Sequence, residues 1–507
     1  MISSTPSLSP EQWESFHQLQ HQLRGPAHSE AFLDKEGGDI LVLPSFSLDQ
    51  SVGEKIPGFL HYEERLLFSL IRLRNPKTRL IYVTAQPLSP LIVEYYLQLL
   101  AGIPFSHARE RLLLFTAYDN AYKPLTQKIL ERPRLIERIR QALRPGRSHI
   151  VCFNATALEA ELSLQLQTPL LAASPALAYW GSKSGSREIF AEAGVSYPDG
   201  SFLVNSVEAL LAETVALWQR QPHLRRVMVK LNEGFSGEGN AIFPLPTDRT
   251  AQAASPELLQ AYLPCLQCQA QGETWESFLA RIPSLGAIVE AFVEGAEKRS
   301  PSVQGYISPQ GEVSILSTHD QILGGPDQQI YLGCRFPADD GYRLALQNLG
   351  LKIGQVLAQR GAMERFGVDF MAVRQGETWE LTAIEINLRK GGTTHPFMTL
   401  KLLTNGIYDP TTGLFYSQEG QPRYYLASDN LQKPQYHGLL PDDLMDIIAT
   451  HGLHYNSTTQ TGTLFHLMGA LSEFGKLGLT CIGRSPAEAE AIYQKVEHCL
   501  DQETADP

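Results

Sequence analysis

Asp369, Glu385 and Asn387 are the residues of this chain best suited to chemistry. Asp369 lies in FGVDFMAV (Phe366–Val373), and Glu385 and Asn387 lie two apart in WELTAIEINLR (Trp379–Arg389). Both segments read as strands, and the polar link Arg374–Thr378, with Gly376 inside it, reads as a turn. Strict alternation puts Glu385 and Asn387 on one face with Trp379, Leu381 and Ala383, and gives Asp369 a different face from Val368 and Phe370. Closing the hairpin brings Asp369 opposite the Ala383–Glu385 region. Two carboxylates and an amide oxygen then converge, a hard-oxygen cradle for Mg²⁺ and a phosphate. Arg389 follows Asn387 by two residues and continues that face. A planar cation there suits a second anion, a carboxylate or a transferring phosphoryl group. The alternative is an ordinary solvated hairpin edge. Against it, Glu385 and Asn387 interrupt an apolar strand with nothing obvious to neutralise them.

Other stretches carry anion-binding potential. Lys183 opens a helix that Ser182 or Ser184 can cap and that ends near Gly194. A lysine there does nothing for the helix dipole, so it is free to serve an anion, or else it is a solvated first-turn residue. Lys230 is the one charge inside the strand VMVKL and precedes the loop NEGFSGEGN (Asn232–Asn240). Glycine-rich backbone between two strands can lie over phosphates; a plain hairpin is the alternative. Gly234 to Gly239 has the glycine spacing of a Walker A loop, but Asn240-Ala241 stands where Lys-Ser/Thr is required, and a strand follows. His395 could orient an incoming group or be hydrogen-bonded within its turn, and His466 sits in an apolar segment as a core histidine. Cys265-Leu-Gln-Cys268 has the spacing of half a zinc site with no second half.

These residues need elements to position them. The first 175 or so residues alternate strands (Asp39–Phe46, Arg79–Thr84, Arg111–Thr116, His149–Phe153) with helical stripes, the pattern of parallel βαβ packing. No dinucleotide fingerprint occurs in their turns, so no cofactor is expected there. The six arginines of Arg132–Arg147 read as the wet face of a helix. Strands are expected at Arg226–Leu231, Ala241–Phe243, Ala287–Val293, from Ser302 and at Val313–Thr318, then a loop over His319–Asp340 and a helix over Tyr342–Gly361. Beyond Leu400 come a turn-rich aromatic stretch, a helix, two glycine-rich strands and a terminal helix over Pro486–Leu500.

Composition bounds the setting. The 507 residues allow two to four domains. A net charge of −12 argues against nucleic acid or an anionic membrane as partner. No apolar run approaches the roughly 20 residues that span a bilayer. Met1–Pro10 has neither the basic nor the apolar region of a secretory signal, and the six cysteines are scattered, so a cytoplasmic location is expected.

The ordered set resembles the ATP-grasp superfamily: Lys183, Lys230, the Gly234–Gly239 loop, Glu290-x-x-x-Glu294-Gly-x-Glu297, Asp369, then Glu385-x-Asn387-x-Arg389. More narrowly, EINLRKGGTTHPF, HDQILGG and GTLFHLMGALSEFGKLGLTCIG look like the pheganomycin-type peptide ligases, which are carboxylate–amine ligases. The resemblance implies an α/β protein in three parts. These are a βαβ pre-ATP-grasp domain (1–175), an ATP-grasp fold of two α+β subdomains (176–400) and a small C-terminal domain (401–507). It implies ATP and Mg²⁺ as cofactors, and a small-molecule carboxylate and an amine, an amino acid or peptide, as substrates. It also implies roles. Lys183 and Lys230 hold phosphates, Ser236 and Gly237 cover the triphosphate, and Glu290 to Val293, with Phe292, form the hinge beside adenine. Glu297 meets the ribose hydroxyls, Asp369, Glu385 and Asn387 bind Mg²⁺, and Arg389 binds the carboxylate or acyl phosphate. The glycine loop and the His319–Asp340 loop are candidate lids. Two rival readings remain on this fold: a small-molecule kinase, and a nucleotide-binding regulator without chemistry.

Overall fold

The computed structural model describes residues 8–25, 37–47, 56–233, 239–270, 272–324 and 330–505. Strands β1 (Asp39–Leu43), β2 (Arg79–Thr84), β3 (Leu112–Thr116) and β4 (Ser148–Cys152) form a parallel sheet in the order β3-β2-β1-β4. Every residue of β1 is buried, which is why its sequence is an unbroken apolar run after Asp39. Asp39 is itself fully buried and is held by Arg144 at 2.5 Å and Arg79 at 3.2 Å. The basic run thus divides its labour. Arg144 and Arg132 make half-buried ion pairs, the latter with Asp119 at 3.0 Å, and Arg134, Arg138, Arg140 and Arg147 are exposed. One helical segment between these strands spans Phe59–Arg74 and is wound as 3₁₀ turns. A helix over Pro10–Gln20, closed by a Ser9/Gln12 capping box, was not anticipated from the sequence.

A second, antiparallel sheet has the order β7-β6-β5-β8, from β5 (Arg226–Leu231), β6 (Asn240–Pro244), β7 (Gln267–Cys268) and β8 (Ala287–Ala291). The helix Val207–Arg220 covers it, with Leu217 and Trp218 in a shared core.

The third sheet has eleven strands: β9 (Lys298–Arg299), β10 (Pro301–Ile307), β11 (Val313–Gly324), β12 (Ile330–Phe336), β13 (Glu364–Gln375), β14 (Thr378–Asn387), β15 (Ile407–Asp409), β16 (Leu414–Tyr416), β17 (Pro422–Gln432), β18 (Gly462–His466) and β19 (Lys476–Gly483). Its main path runs β14-β13-β10-β11-β12-β17-β16-β15. The stretch His319–Asp340, expected as a loop, is mostly strand. β11 and β12 pair with each other and with β10 and β17 on either side, so the ladder satisfies their backbone groups despite Gly324 and Gly333. Only the tip, 325–329, lies outside the described residues.

The β12–β17 pairing, Gly333↔Ser428 to Phe336↔Tyr425, carries the sheet from the middle of the chain into its last hundred residues. One core unites Leu66 and Leu67 of the first stretch, Phe336 and Phe397 of the second, and Leu479 and Leu500 of the third. Among the described residues no helix is long and apolar enough to cross a membrane.

A Cβ at Gly333 would meet the Ala427 carbonyl oxygen at 2.2 Å, a backbone atom that cannot swing aside. Gly333→Ala is therefore expected to cost about 1–3 kcal/mol, read as a lowered urea midpoint. An unchanged midpoint would show that the β12–β17 joint tolerates more space than its register implies.

Candidate active site

Strands β13 and β14 place Asp369 directly opposite Glu385, and Gly367 opposite Asn387. The next partners are Phe370 and Ala383, so Ile384 is an extra residue in β14, a β-bulge. The bulge corrects the face assignment made from alternation. Ala383 and Ile386 are both in the core, with Trp379 and Leu381 packed against it. Glu385 and Asn387 turn to the opposite face and line a cavity with Ile384. On β13 the alternation holds: Val368 and Phe370 are in the core and Asp369 lines the cavity.

Gln321 Nε2 donates to Asp369 Oδ1 at 2.6 Å, and Asn387 Nδ2 donates to Asp369 Oδ2 at 3.0 Å. Burial, and then the facing Glu385, push the Asp369 carboxyl up to about 6. Lys183 Nζ lies 2.5 Å from Glu385 Oε1 and is buried behind it. Ser182 caps the helix Lys183–Glu192 by accepting from Gly185 N at 3.1 Å. The Ser184 N–H and Oγ both donate to Asn232 Oδ1, at 2.9 and 2.8 Å. Asn232 follows β5, so this clasp ties the start of the helix to the strand that carries Lys230.

Lys230 Nζ lies 2.6 Å from Glu290 Oε2, and Arg187 Nη1 donates to Glu290 Oε1 at 2.9 Å. Burial raises the Glu290 carboxyl, but Lys230 and Arg187 outweigh it and hold the group below its ordinary range. Sequence reasoning missed Arg187, although it stands four residues after Lys183 and so on the same helix face. It also missed Gln321, whose place within HDQILGG carries no chemical signal of its own.

One cavity of about 730 Å³ gathers most of these groups. Its wall includes Lys230, Glu290, Phe292, Val293, Asp369, Glu385, Asn387 and Arg389 from the middle of the chain, Tyr62, Arg65 and Phe153 from the first stretch, and Asn430 and Lys476 from the last. The Phe292 ring has Arg226 at 3.8 Å and Lys298 at 4.8 Å from its centroid. Glu297 is not in the wall: it is exposed and lies 3.4 Å from Arg299. Ser236 and Gly237 lie outside the described residues.

His395 and His466 are also outside the wall. Both are buried and face Asp429 Oδ1, at 3.3 and 2.6 Å, with ring centroids 4.2 Å apart, and Arg65 pairs with the other Asp429 oxygen. Burial depresses both imidazoles, His395 well below its usual value and His466 to about 3. Arg65 already neutralises Asp429, so the cluster reads as an ion-paired network under the cavity rather than a metal centre.

Comparison with known proteins places this geometry. The chain is 32% identical to L-propargylglycine--L-glutamate ligase of Streptantibioticus cattleyicolor, over 92% of this chain and 94% of that one. It belongs to the ATP-grasp family of carboxylate–amine ligases. The family profile described as IQCH-like, ATP-grasp matches residues 175–254 and 248–410, and that of the PGM1 C-terminal domain matches 443–496. IQ motif-containing protein H of Danio rerio is 23% identical over 79% of this chain, which spans 42% of that protein's length. The fold is shared with the biotin carboxylase domain of 2-oxoglutarate carboxylase from Hydrogenobacter thermophilus (TM-score 0.54, 13% identity, 91% of this chain and 89% of that one). It is shared also with biotin carboxylase from Campylobacter jejuni (TM-score 0.53, 12% identity, 93% and 95%). This chain is therefore an ATP-grasp ligase that joins a carboxylate to an amine, a peptide ligase rather than a kinase or a regulator.

The Asp369–Glu385–Asn387 set suits Mg²⁺. All its donors are hard oxygens, and the Asp369 carboxyl is held above its usual range by burial and by Glu385, a repulsion that a divalent cation relieves.

Glu290 generates a pH prediction. Its folded-state carboxyl is depressed, so the stability it contributes is present above its ordinary value of 4.5 and is lost as pH falls through the lower folded value. Glu290→Gln leaves Lys230 and Arg187 without their buried counter-ion, at a cost on the order of 3 kcal/mol at neutral pH. That deficit should shrink below about pH 4.5 when urea midpoints of the two proteins are compared. A deficit constant with pH would exclude Glu290 as its source.

Proposed function

We propose that Lys183 and Lys230 hold the ATP phosphates in this ligase, that Asp369, Glu385 and Asn387 bind Mg²⁺, and that Arg389 receives the substrate carboxylate and its acyl phosphate. The observation that carries this reading is the Asp369–Glu385 pair, facing across two strands with Lys183 on Glu385 and Arg389 in the same cavity wall. Glu290, Phe292 and Val293 form the hinge beside adenine. Glu297 reaches the ribose hydroxyls only when its contact with Arg299 opens. The substrates are a small carboxylate and an amine, both of the amino-acid class, as the name of the S. cattleyicolor relative suggests. The six cysteines are free thiols, which suits work in a reducing, ATP-supplied cytoplasm.

In the first step a carboxylate oxygen attacks the γ-phosphorus, the new O–P bond forms, and ADP leaves. Charge spreads over the phosphoryl oxygens, and the cations of Lys183, Lys230 and Arg389 offset it. Bound Mg²⁺ would supply Lewis-acid polarisation of those oxygens. In the second step the amine nitrogen attacks the acyl carbon, phosphate leaves and the nitrogen loses a proton. The aromatic wall of Phe46, Phe153 and Tyr331 limits water that would compete for the acyl group.

The test is interception. With ATP, Mg²⁺ and the right acid, hydroxylamine should give a hydroxamate and stoichiometric ADP. Arg389→Lys keeps the charge and loses the fork, so trapping should fall while ATP still binds. Glu385→Gln should abolish Mg²⁺-dependent turnover. Undiminished trapping in Arg389→Lys would overturn the role of Arg389.

Nucleotide affinity should depend on Lys230. Lys230→Met should weaken ATP binding by about 1.5–3 kcal/mol in calorimetry, the worth of a charge-assisted phosphate contact. Unchanged affinity in the folded variant would remove Lys230 from the phosphate site.

A further inference from the structure

Besides Lys230, and Lys298 over the Phe292 ring, three cations line the cavity, and their surroundings differ. Arg65 is paired with Asp429. Arg389 sits in the field of Glu385 and Asp369. Lys476, the first residue of β19, is only 3% exposed, and no carboxylate pairs with it among the described residues. Its Nζ donates to Tyr62 Oη at 2.9 Å and lies 5.2 Å from the centroid of that ring. The Arg65 guanidinium also lies over the Tyr62 ring, 4.3 Å from its centroid. Tyr62 Oη accepts from Lys476, and its O–H donates to nothing else among the described residues.

A buried cation whose polar partner is one neutral hydroxyl is costly unless an anion completes it. Here the completing anion can reach it, because Lys476 and Tyr62 both line the cavity that holds the Asp369–Glu385 pair. A carboxylate at that point would accept from the ammonium and from the phenol, two donors already aligned on each other. The two groups come from β19 and from the 3₁₀ helix near residue 60, so the subsite forms only where the first and last stretches meet.

We propose that Lys476 and Tyr62 form a subsite for the substrate carboxylate that does not react. This rests on the ligase reading, in which the cavity holds two amino-acid-class substrates. Such a pair always brings at least one spare carboxylate: the α-carboxylate of the amine substrate and, where a dicarboxylic acid is activated through its side chain, the α-carboxylate of that acid as well. Held at Lys476, that group fixes how far the reacting atoms reach toward Arg389 and so sets which amino acids fit.

The test measures binding without turnover. The full chain, with MgADP present, is titrated with two probe pairs: L-propargylglycine and its carboxamide, and L-glutamate and its α-carboxamide. In one pair the wild-type protein should bind the acid at least about tenfold more tightly than the amide, about 1.4 kcal/mol. The pair showing the preference identifies the substrate whose spare carboxylate Lys476 and Tyr62 hold. Lys476→Met should bring the acid down to the affinity of its amide, and Lys476→Arg should retain the preference, which a merely structural lysine would not explain. Tyr62→Phe, which keeps the ring, should lose part of the preference and serves if Lys476→Met misfolds, as MgADP binding would reveal. Equal affinities within both pairs, undetectable binding of all four probes, or a preference that survives Lys476→Met would overturn the proposal. Hydroxamate trapping reads acyl-phosphate chemistry with an amine that has no carboxylate, so failure of the ligase roles and failure of this subsite give different results.

Discussion

Asp369 and Glu385 face each other across neighbouring strands, partly desolvated and of like charge, and the surrounding structure is arranged to keep them there. Two half-buried carboxylates at cross-strand distance repel, and partial burial weakens the water screening that would relieve them. Lys183 answers one of them and Gln321 and Asn387 hydrogen-bond the other. The arrangement leaves a locally anionic face pointing into a cavity whose other charged groups are largely cationic. That polarity suits a divalent cation between protein carboxylates and the phosphates of a nucleotide.

Placing those groups requires more than the hairpin. Lys183 reaches Glu385 because Asn232 clasps the start of its helix to the end of β5. The second sheet is thereby tied to the third at the point where their cations and carboxylates meet. Arg187, on the same helix, joins Lys230 on Glu290, so one short helix serves both sheets. A change that loosens this helix is expected to disturb both ends of the site together.

The C-terminal stretch takes part in the same construction. β17 pairs with β12 at Gly333, where the absence of a Cβ allows close approach, and β19 pairs with β17 in turn. Through these strands Asp429, His466, Asn430 and Lys476 arrive beside residues from the first stretch. The buried Arg65–Asp429 pair with its two neutral imidazoles then acts as a polar pin between the ends of the chain. Such a pin is costly to desolvate and costlier to break, so it resists sliding of the two ends past each other.

Much of the site was legible in the sequence because its charges stand in apolar strands, where an unneutralised Asp, Glu or Lys has few structural explanations. Lys230, Asp369 and Glu385 show this signature, Asn387 and Arg389 follow Glu385 at the same spacing, and the structure brings all five to one cavity wall. The βαβ pattern of the first stretch and the helices Pro441–His451 and Pro486–Glu503 were legible for a similar reason, since their periodicities are local. Tertiary structure decided the rest. The bulge at Ile384 resets the face of Glu385, and an extra residue in a ladder exists only relative to the partner strand. The second half of β11 and all of β12 read as a loop because they are stabilised by neighbours distant in sequence. Tyr62 lies in no motif, and Lys476, most of the chain away within GTLFHLMGALSEFGKLGLTCIG, carries no chemical signal there. Their meeting depends on the sheet that joins the two ends, and long-range pairing of that kind leaves no periodic trace in either segment.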